Sequence, residues 1–252
     1  MDATIKKQLE ITAVRVRMGI IEGTFNAKSG HPGGSLSISD LLTYLYSVKM
    51  NVNPADPDMA QRDRLVLSKG HCAPALYSIL AEKGFFPKEE LKSLRHIGAL
   101  LQGHPCISIP GVDMSSGSLG QGISVANGIA LAGKIDNADY KVYTILGDGE
   151  IEEGQVWEAA MFAAHYKLDN LVAIVDNNGL QIDGKISEVC SPEPITDKFA
   201  AFGWHVITMD AHDFDDIERA FDEAEKISGK PVAIIQKSTK GKGVSFMEDK
   251  CS

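Results

Sequence analysis

The segment VYTILGDGE, residues 142–150, contains the pattern that indicates the fold of this chain. Its first five residues, Val142 to Leu146, form an apolar run that is followed directly by a Gly-Asp-Gly turn. The run barely alternates between apolar and polar residues, which is typical of a strand covered on both faces by other elements. A helical pattern begins near Glu152. The segment therefore predicts a buried strand that leads through a tight turn into a helix.

The same succession recurs on both sides of this segment, where short runs rich in Val and Ile separate helical patterns. Alternating strands and helices favour an α/β protein with a largely parallel sheet. We predict a doubly wound sheet with helices on both faces, and the sequence contains no internal repeat or flexible linker that would divide it. The predicted strands are residues 65–67, 142–146, 171–175, 206–209 and 232–235, and the predicted helices are 5–23, 39–49, 74–83, 88–95, 120–133, 152–167 and 213–227.

The composition describes an acidic globular chain of 252 residues, with 34 acidic and 25 basic residues and a net charge of −9. No run of basic residues suggests nucleic acid or a membrane surface as a partner, so a small anion would need local positive charge. No apolar stretch is long enough to span a bilayer, and the N-terminus lacks the pattern of a signal peptide. We expect a cytoplasmic protein. The four cysteines lack the spacing of a zinc site or a disulfide framework.

Two polar motifs follow neighbouring predicted strands. Asp148 lies in the Gly-Asp-Gly turn, and Asn178 lies thirty residues later in the segment DNNGL, residues 176–180. Two neighbouring parallel strands would bring these side chains to one edge of the sheet, where a carboxylate and an amide oxygen suit a divalent cation. Each motif alone is also compatible with an ordinary turn. Their spacing favours a metal-bound diphosphate at this edge.

This pair of motifs resembles the signature of the thiamin-diphosphate-dependent enzymes. The resemblance implies a metal, Mg²⁺ or alternatively Ca²⁺ or Mn²⁺, held by Asp148, Asn178 and the main-chain oxygen of Leu180. It also implies contacts to the cofactor from Asn178, from the amide of Gly149 and from Glu150. Residues 1–252 are then expected to form a single thiamin-diphosphate-binding domain.

Three histidines lie in loops rich in glycine or proline, namely His31, His71 and His104. A loop histidine is often only solvated, but three in such settings favour a functional role. Their motifs, SGHPGG, SKGH and GHP, resemble transketolase in particular. The resemblance implies that His31 and His104 line the channel for the donor sugar and that His71 contacts both the cofactor diphosphate and the substrate. Imidazoles in such places relay protons or favour a developing oxyanion.

Further positions match transketolase motifs. The loop SGSLGQG, residues 116–122, places Gly117, Ser118 and Leu119 beside the rings of the cofactor by resemblance, and Ile182 matches an apolar contact to the thiazolium. Glu153 matches a glutamate that links two active sites through an interface between copies, and by resemblance we count it among the catalytic residues. Without the resemblance, Glu153 is a favourable acid in the first turn of a helix.

Two transketolase features are missing from the sequence. The pyrimidine-binding domain, with the glutamate that activates the cofactor, and the domain that follows it are absent, and so is a histidine expected shortly after Gly243. We therefore expect a truncated copy or, as the favoured hypothesis, the N-terminal subunit of a split transketolase. Such a subunit would act on sugar phosphates, form a self-dimer within an α2β2 assembly and pair with a separate C-terminal subunit. The alternatives left open are a split enzyme for another or non-phosphorylated ketose, and a non-catalytic scaffold.

Overall fold

The computed structural model describes residues 1–182 and 184–251. Five parallel strands form a central sheet in the order β1-β2-β3-β7-β6, and two short antiparallel strands, β4 and β5, form a separate ribbon. The strands are β1 Arg64–Leu67, β2 Val142–Gly147, β3 Leu171–Asn177, β4 Leu180–Gln181, β5 Gly184–Lys185, β6 His205–Asp210 and β7 Val232–Lys237. The helices are α1 Ala3–Ala27, α2 Pro32–Ser37, α3 Ser39–Tyr44, α4 Ala73–Lys83, α5 Gly122–Ile135, α6 Gly154–His165, α7 Ile186–Val189, α8 Ile195–Ala201 and α9 Phe214–Glu225.

Successive side chains of the strands enter two separate apolar cores. On β2, for example, Tyr143 and Ile145 face one core while Val142 and Leu146 face the other. The first core is closed by α1, α3, α4 and α9, and the second by α5, α6 and α8. Because both faces of the sheet are covered, its strands tolerate continuous apolar sequence. The predicted doubly wound α/β fold is confirmed.

The N-terminal helix is longer than predicted. Its N-cap is the side-chain carboxylate of Asp2, and it continues past Gly23 to Ala27. A Cβ at Gly23 would lie 3.2 Å from the carbonyl oxygen of Leu91. Gly23 therefore allows close packing inside the helix and does not end it, so the predicted helix end was wrong.

Other predicted elements differ in type or extent. Residues 39–49 form α3 and then a π-helical turn, Leu45–Lys49, while the predicted helix at 88–95 is a 3-10 segment, Lys88–Ser93. The predicted helices at 120–133 and 152–167 begin two residues later than expected, at Gly122 and Gly154. Short elements without a full apolar period, α7 and α8, were not predicted. Among the described residues, no helix has the length and apolar character needed to cross a membrane.

Candidate active site

A cavity of about 650 Å³ lies at the carboxyl ends of the central strands. In doubly wound sheets, ligands bind at this edge because loops and helix N-termini gather there. Eleven of the thirteen predicted site residues line it, and Ser118 and Glu153 do not. The lining comprises Gly30, His31, Pro32, Gly33, Gly34, Lys69, His71, His104, Gly117, Leu119, Gly147, Asp148, Gly149, Glu150, Asn178, Leu180, Gln181, Ile182, Lys240, Phe246, Met247, Lys250 and Cys251.

The structure brings the two polar motifs together at the ends of β2 and β3. Gly147 pairs with Asp176 in the register of these strands, so the turns that follow them are adjacent. The buried carboxylate of Asp148 accepts the N–H of Gly179 at 2.7 Å and the N–H of Gly149 at 2.9 Å. Burial, followed by the negative charge of Asp176, raises the pKa of Asp148 to about 6. A nearby cation would relieve this cost, because it favours the charged carboxylate.

Asn178 is oriented by hydrogen bonds at both ends of its amide. Its Nδ2 donates to Oδ2 of Asp176 at 3.2 Å, and its Oδ1 accepts the N–H of Leu180 at 3.1 Å. An amide oxygen has a second lone pair. Oδ1 of Asn178 is therefore still able to coordinate a cation.

A buried ion pair that the sequence analysis did not identify lies beneath these groups. Lys69, from the end of β1, contacts the carboxylate of Asp176, and both side chains are almost fully buried. Burial opposes both charges, but each partner outweighs it, so the pKa of Lys69 is raised and that of Asp176 is lowered to about 2. The Asp176 carboxylate also accepts hydrogen bonds from Ser37 and Gln236, at 2.6 and 2.7 Å. Satisfied in this way, the pair is a rigid support for Asn178.

The side chain of Glu150 turns inward and binds protein groups. Its carboxylate accepts the N–H of Gly120 and the N–H of Gly147, each at 2.9 Å, together with the hydroxyl of Ser68. Burial raises its pKa. Glu150 thus ties the predicted cofactor loop to the ends of β1 and β2. Any contact of Glu150 with a ligand is left to its other atoms, since its carboxylate already has these partners.

The three predicted histidines meet in this cavity. The rings of His31 and His71 pack edge to face with centroids 5.3 Å apart. Burial, followed by the charge of Lys69, lowers the pKa of His71 to about 3, and burial also lowers the pKa of His31. The main chain of His104 is held by the hydroxyl of Tyr77, which donates to its carbonyl at 2.7 Å. His31 and His71 are therefore neutral near pH 7 and able to accept hydrogen bonds through an unprotonated ring nitrogen.

The remaining predicted positions are all exposed. Gly117 and Leu119 line the cavity, whereas Ser118, which lies between them in the sequence, does not. Glu153 is exposed at the N-terminus of α6 and makes no side-chain cap. Ile182 is 73% exposed, and its φ of 48° is unusual for a β-branched residue. Such backbone strain is concentrated at functional sites.

Two lysines besides Lys69 contribute positive charge to the cavity, although the chain as a whole is acidic. Lys240 follows β7, and Lys250 lies near the end of the described residues. The sequence analysis assigned neither. The available signal was the position of Lys240 in the basic segment KGKG, which begins five residues after the end of the predicted strand at 232–235, at the same sheet edge as Asp148.

The donor set fits a magnesium-like cation better than a softer metal. Within residues 1–182 and 184–251, no group of three or more His, Cys, Asp or Glu side chains is arranged to hold a metal ion. A cation next to Asp148 and Asn178 would have only hard oxygen ligands and would need further oxygens from a ligand or water. This is the coordination expected for Mg²⁺ bound to a phosphorylated molecule, and the lysines are suited to the remaining phosphate charge.

The fold and cavity together define a doubly wound α/β protein with a site lined by lysines, histidines and carboxylates at the carboxyl edge of its sheet. Comparison with known proteins specifies the family: the profile described as "Transketolase, thiamine diphosphate binding domain" matches residues 7–252. The chain belongs to the transketolase family and corresponds to its N-terminal, thiamin-diphosphate-binding part.

The similar proteins include separate subunits and full-length enzymes. One of the apulose-4-phosphate transketolase subunits, from Phocaeicola vulgatus, is 48% identical over 240 residues, covering 95% of this chain and 85% of that protein. The 6-deoxy-6-sulfo-D-fructose transketolase subunit SqwG of Clostridium sp. is 50% identical over 222 residues, covering 88% of this chain and 81% of that protein. The crystal structure of transketolase from Campylobacter jejuni superimposes with a TM-score of 0.92 at 36% identity, covering 99% of this chain. The chain spans only 40% of that enzyme's length.

Proposed function

We propose that this chain is the N-terminal subunit of a split transketolase, which transfers a two-carbon ketol unit from a ketose phosphate to an aldose phosphate. The observation that supports this most directly is the meeting of Asp148 and Asn178 at one sheet edge, in the cavity that also holds Lys240, His31 and His71. Two relatives are named as transketolase subunits, and this chain covers 85% and 81% of their lengths. Residues 1–252 then act as one cofactor-binding domain.

The cofactor of this proposal is thiamin diphosphate with Mg²⁺, or with Ca²⁺ or Mn²⁺ in its place. Asp148, Asn178 and the carbonyl of Leu180 would hold the cation, and Gly149 and Lys240 would face the diphosphate. Bound there, thiamin diphosphate supplies a nucleophilic thiazolium carbon, which is the covalent chemistry of the reaction. The chain's contribution is to neutralise the diphosphate charge and to orient the cofactor through the Gly117–Leu119 loop and Ile182.

The three histidines of the cavity are proposed to contact the sugar substrate. Neutral His31 and His71 would accept hydrogen bonds from sugar hydroxyls, because their lowered pKa values keep one ring nitrogen unprotonated near pH 7. His104 shares the cavity and would position the donor. The rigid Lys69–Asp176 pair excludes water below the cation site and fixes Asn178.

The remaining parts of the active site are expected from other subunits. We propose a self-dimer within an α2β2 assembly, in which the exposed Glu153 reaches the interface between copies and a separate C-terminal subunit supplies the pyrimidine-binding domain. The names of the two subunit relatives support a separate partner. A cytoplasmic location remains a prediction of the sequence pattern.

The experiment that tests the proposal isolates the tagged chain from its native host with thiamin diphosphate and Mg²⁺. Co-purifying proteins are identified by mass spectrometry, and ketol transfer from xylulose 5-phosphate is assayed. We expect a stoichiometric partner with a pyrimidine-binding domain and an activity that EDTA removes. Activity of the partner alone would favour a scaffold role instead.

A second candidate differs only in the sugar. The two subunit relatives are named for apulose 4-phosphate and 6-deoxy-6-sulfo-D-fructose, so related subunits are associated with different ketoses. Comparing these two sugars with xylulose 5-phosphate and a non-phosphorylated ketose on the purified complex separates the candidates. If the rate is highest with apulose 4-phosphate or 6-deoxy-6-sulfo-D-fructose, that sugar and not the pentose phosphate is the donor.

A further inference from the structure

The segment that carries Lys240 into the cavity is attached to the protein at several points. Residues 238–243 follow β7 and cross the start of α2, just after His31, where the N–H of Gly241 donates to the carbonyl of Gly33 at 3.0 Å. The side chain of Lys240 runs over Gly33, since a Cβ at Gly33 would lie 3.1 Å from Cγ of the lysine. Lys240 therefore has its aliphatic part on the start of α2 and lines the cavity, where its charge helps to lower the pKa of His31.

One flanking residue of Lys240 is held by His212, which lies just after β6. Nε2 of His212 is 2.9 Å from the backbone nitrogen of Thr239, and Nδ1 is 2.8 Å from Oδ2 of Asp40. A backbone N–H can only donate, so Nε2 must be the unprotonated nitrogen and Nδ1 must carry the proton. His212 is thus a neutral ring that joins Asp40 to Thr239.

A second anchor, on the other side of Lys240, is Arg17 of α1. Its Nε donates to the carbonyl of Lys242 at 3.1 Å, while its two terminal nitrogens bind the Asp40 carboxylate, one of them at 3.0 Å. A Cβ at Gly243 would lie 2.8 Å from Cδ of Arg17, so the chain passes directly over this side chain. Both anchors of the segment therefore converge on one carboxylate.

The carboxylate of Asp40 is buried and binds both His212 and Arg17. Its side chain is 7% exposed, and although burial opposes its charge, the hydrogen bonds from His212 and Arg17 lower its pKa. We name Arg17, Asp40 and His212 the Asp40 cluster. None of its three members lines the cofactor cavity. The cluster can influence a ligand there only through the segment it holds.

We propose that the Asp40 cluster positions Lys240: His212 and Arg17 hold the chain on either side of the lysine and so keep its ammonium aimed at the cofactor diphosphate. This inference rests on the proposed function. Holding the segment before binding removes the entropy cost of ordering it when the ligand arrives. His212 and Arg17 are positioning residues, because they act through Lys240 and touch no ligand.

A double-mutant cycle on the complex purified with the partner tests this. The affinity for thiamin diphosphate in the presence of Mg²⁺ is measured by calorimetry for wild type, His212→Ala, Lys240→Ala and the double variant. We expect each single variant to bind about tenfold more weakly and the double variant to bind no more weakly than Lys240→Ala alone. A residue that acts on the ligand independently of Lys240 would give losses that add, and one that only stabilises the fold would leave the affinity of the folded complex unchanged.

The control is a histidine outside the Asp40 cluster, and the second variant is the other anchor of the segment, Arg17. His205 also pairs with a carboxylate, Glu223 at 3.0 Å, but at the opposite end of β6, so His205→Ala should bind the cofactor as wild type does. If His212→Ala does not fold, Arg17→Lys replaces it, since one ammonium cannot serve both Asp40 and the Lys242 carbonyl.

The outcomes separate the two proposals. A wild-type complex that does not bind thiamin diphosphate would overturn the proposed function. A wild-type complex that binds, with additive losses in the double variant or with unchanged binding by Lys240→Ala, would overturn only the positioning role.

Discussion

The imidazole rings of His31 and His71 meet edge to face in the cavity, with centroids 5.3 Å apart. Two cationic rings at this distance would repel each other beside Lys69 and Lys240, so neutral rings are the state that fits the site. The sequence alone left open whether these histidines act as neutral or protonated groups. Their burial favours the neutral role.

The first prediction concerns the pH dependence of stability. The pKa of His71 is about 3 in the folded chain, so the unfolded chain binds more protons between that value and the ordinary histidine pKa. Its contribution to stability is present above about pH 6.5 and is lost progressively as the pH falls toward 3. His71→Asn should flatten the slope of unfolding free energy against pH by up to about 1.4 kcal/mol per pH unit. Urea titrations measure this slope, and the exposed His96→Asn serves as the control.

The second prediction concerns the cation. Without a metal, the raised pKa of Asp148 means that its contribution to stability is present at low pH and is lost as the pH rises through about 6. A cation needs the ionised carboxylate, so the rise in Tm caused by Mg²⁺ and thiamin diphosphate should be larger at about pH 7.5 than at about pH 5. Asp148→Ala should abolish this rise, and the exposed Asp136→Ala should retain it. An equal rise at both pH values, or one unaffected by EDTA, would contradict the metal assignment.

The third prediction concerns the buried ion pair. Lys69→Met leaves the Asp176 carboxylate buried without its cation and should cost about 3–5 kcal/mol in the free energy of unfolding. Lys92→Met is the matched control, because its ammonium is 3.7 Å from Glu22 at the surface and should contribute less than about 0.5 kcal/mol. The stability from Asp176 is present above about pH 4 and is lost as the pH falls through about 2, so the deficit of Lys69→Met should narrow in acid. A deficit independent of pH would contradict this account.

The fourth prediction concerns the close approach of two loops at the cavity. A Cβ at Gly70 would lie 3.0 Å from the backbone nitrogen of Gly117, which leaves no space for it. Gly70→Ala should displace the Gly117 loop at a cost of about 1–3 kcal/mol and weaken cofactor binding about tenfold or more. Gly128→Ala, in α5 where a Cβ meets nothing within 4 Å, should bind normally and gain up to about 1 kcal/mol in stability. Calorimetry and urea unfolding measure both quantities.

The fifth prediction concerns the proposed self-dimer. Met161 on α6 is 53% exposed, and the neighbouring Phe162 and Tyr166 are also exposed. They form an apolar surface on α6, the same helix that begins directly after Glu153. Met161→Glu should weaken self-association at least tenfold, because a charge would be buried at the interface. Met18→Glu on α1 is the control, since Met18 is 66% exposed on a helix that covers the other side of the sheet. Sedimentation velocity measures the self-association of both variants. If only Met18→Glu dissociates the dimer, the interface lies on α1 and not on α6.

Several features could be predicted from the sequence because they depend on local pattern. Covered strands must be apolar on both faces, so all five strands of the central sheet were found from short runs of apolar residues. The spacing of Asp148 and Asn178 indicated that two neighbouring strands end at the same edge, and the register of β2 and β3 agrees. The predicted transketolase family is confirmed.

Other features depended on contacts between residues far apart in the chain. Lys69 and Asp176 are separated by 107 positions and His212 and Asp40 by 172, so no local pattern relates them. The first pairing is a consequence of strand order, which places the ends of β1 and β3 along one edge of the sheet, and the second depends on the packing of α3 beside the segment that follows β6. The sequence by itself therefore determined the strands of the central sheet, the family and the residues at the strand ends. Only the tertiary structure decided which of those residues face the ligand and which support them, because burial and partner distance set the charge and orientation of each side chain.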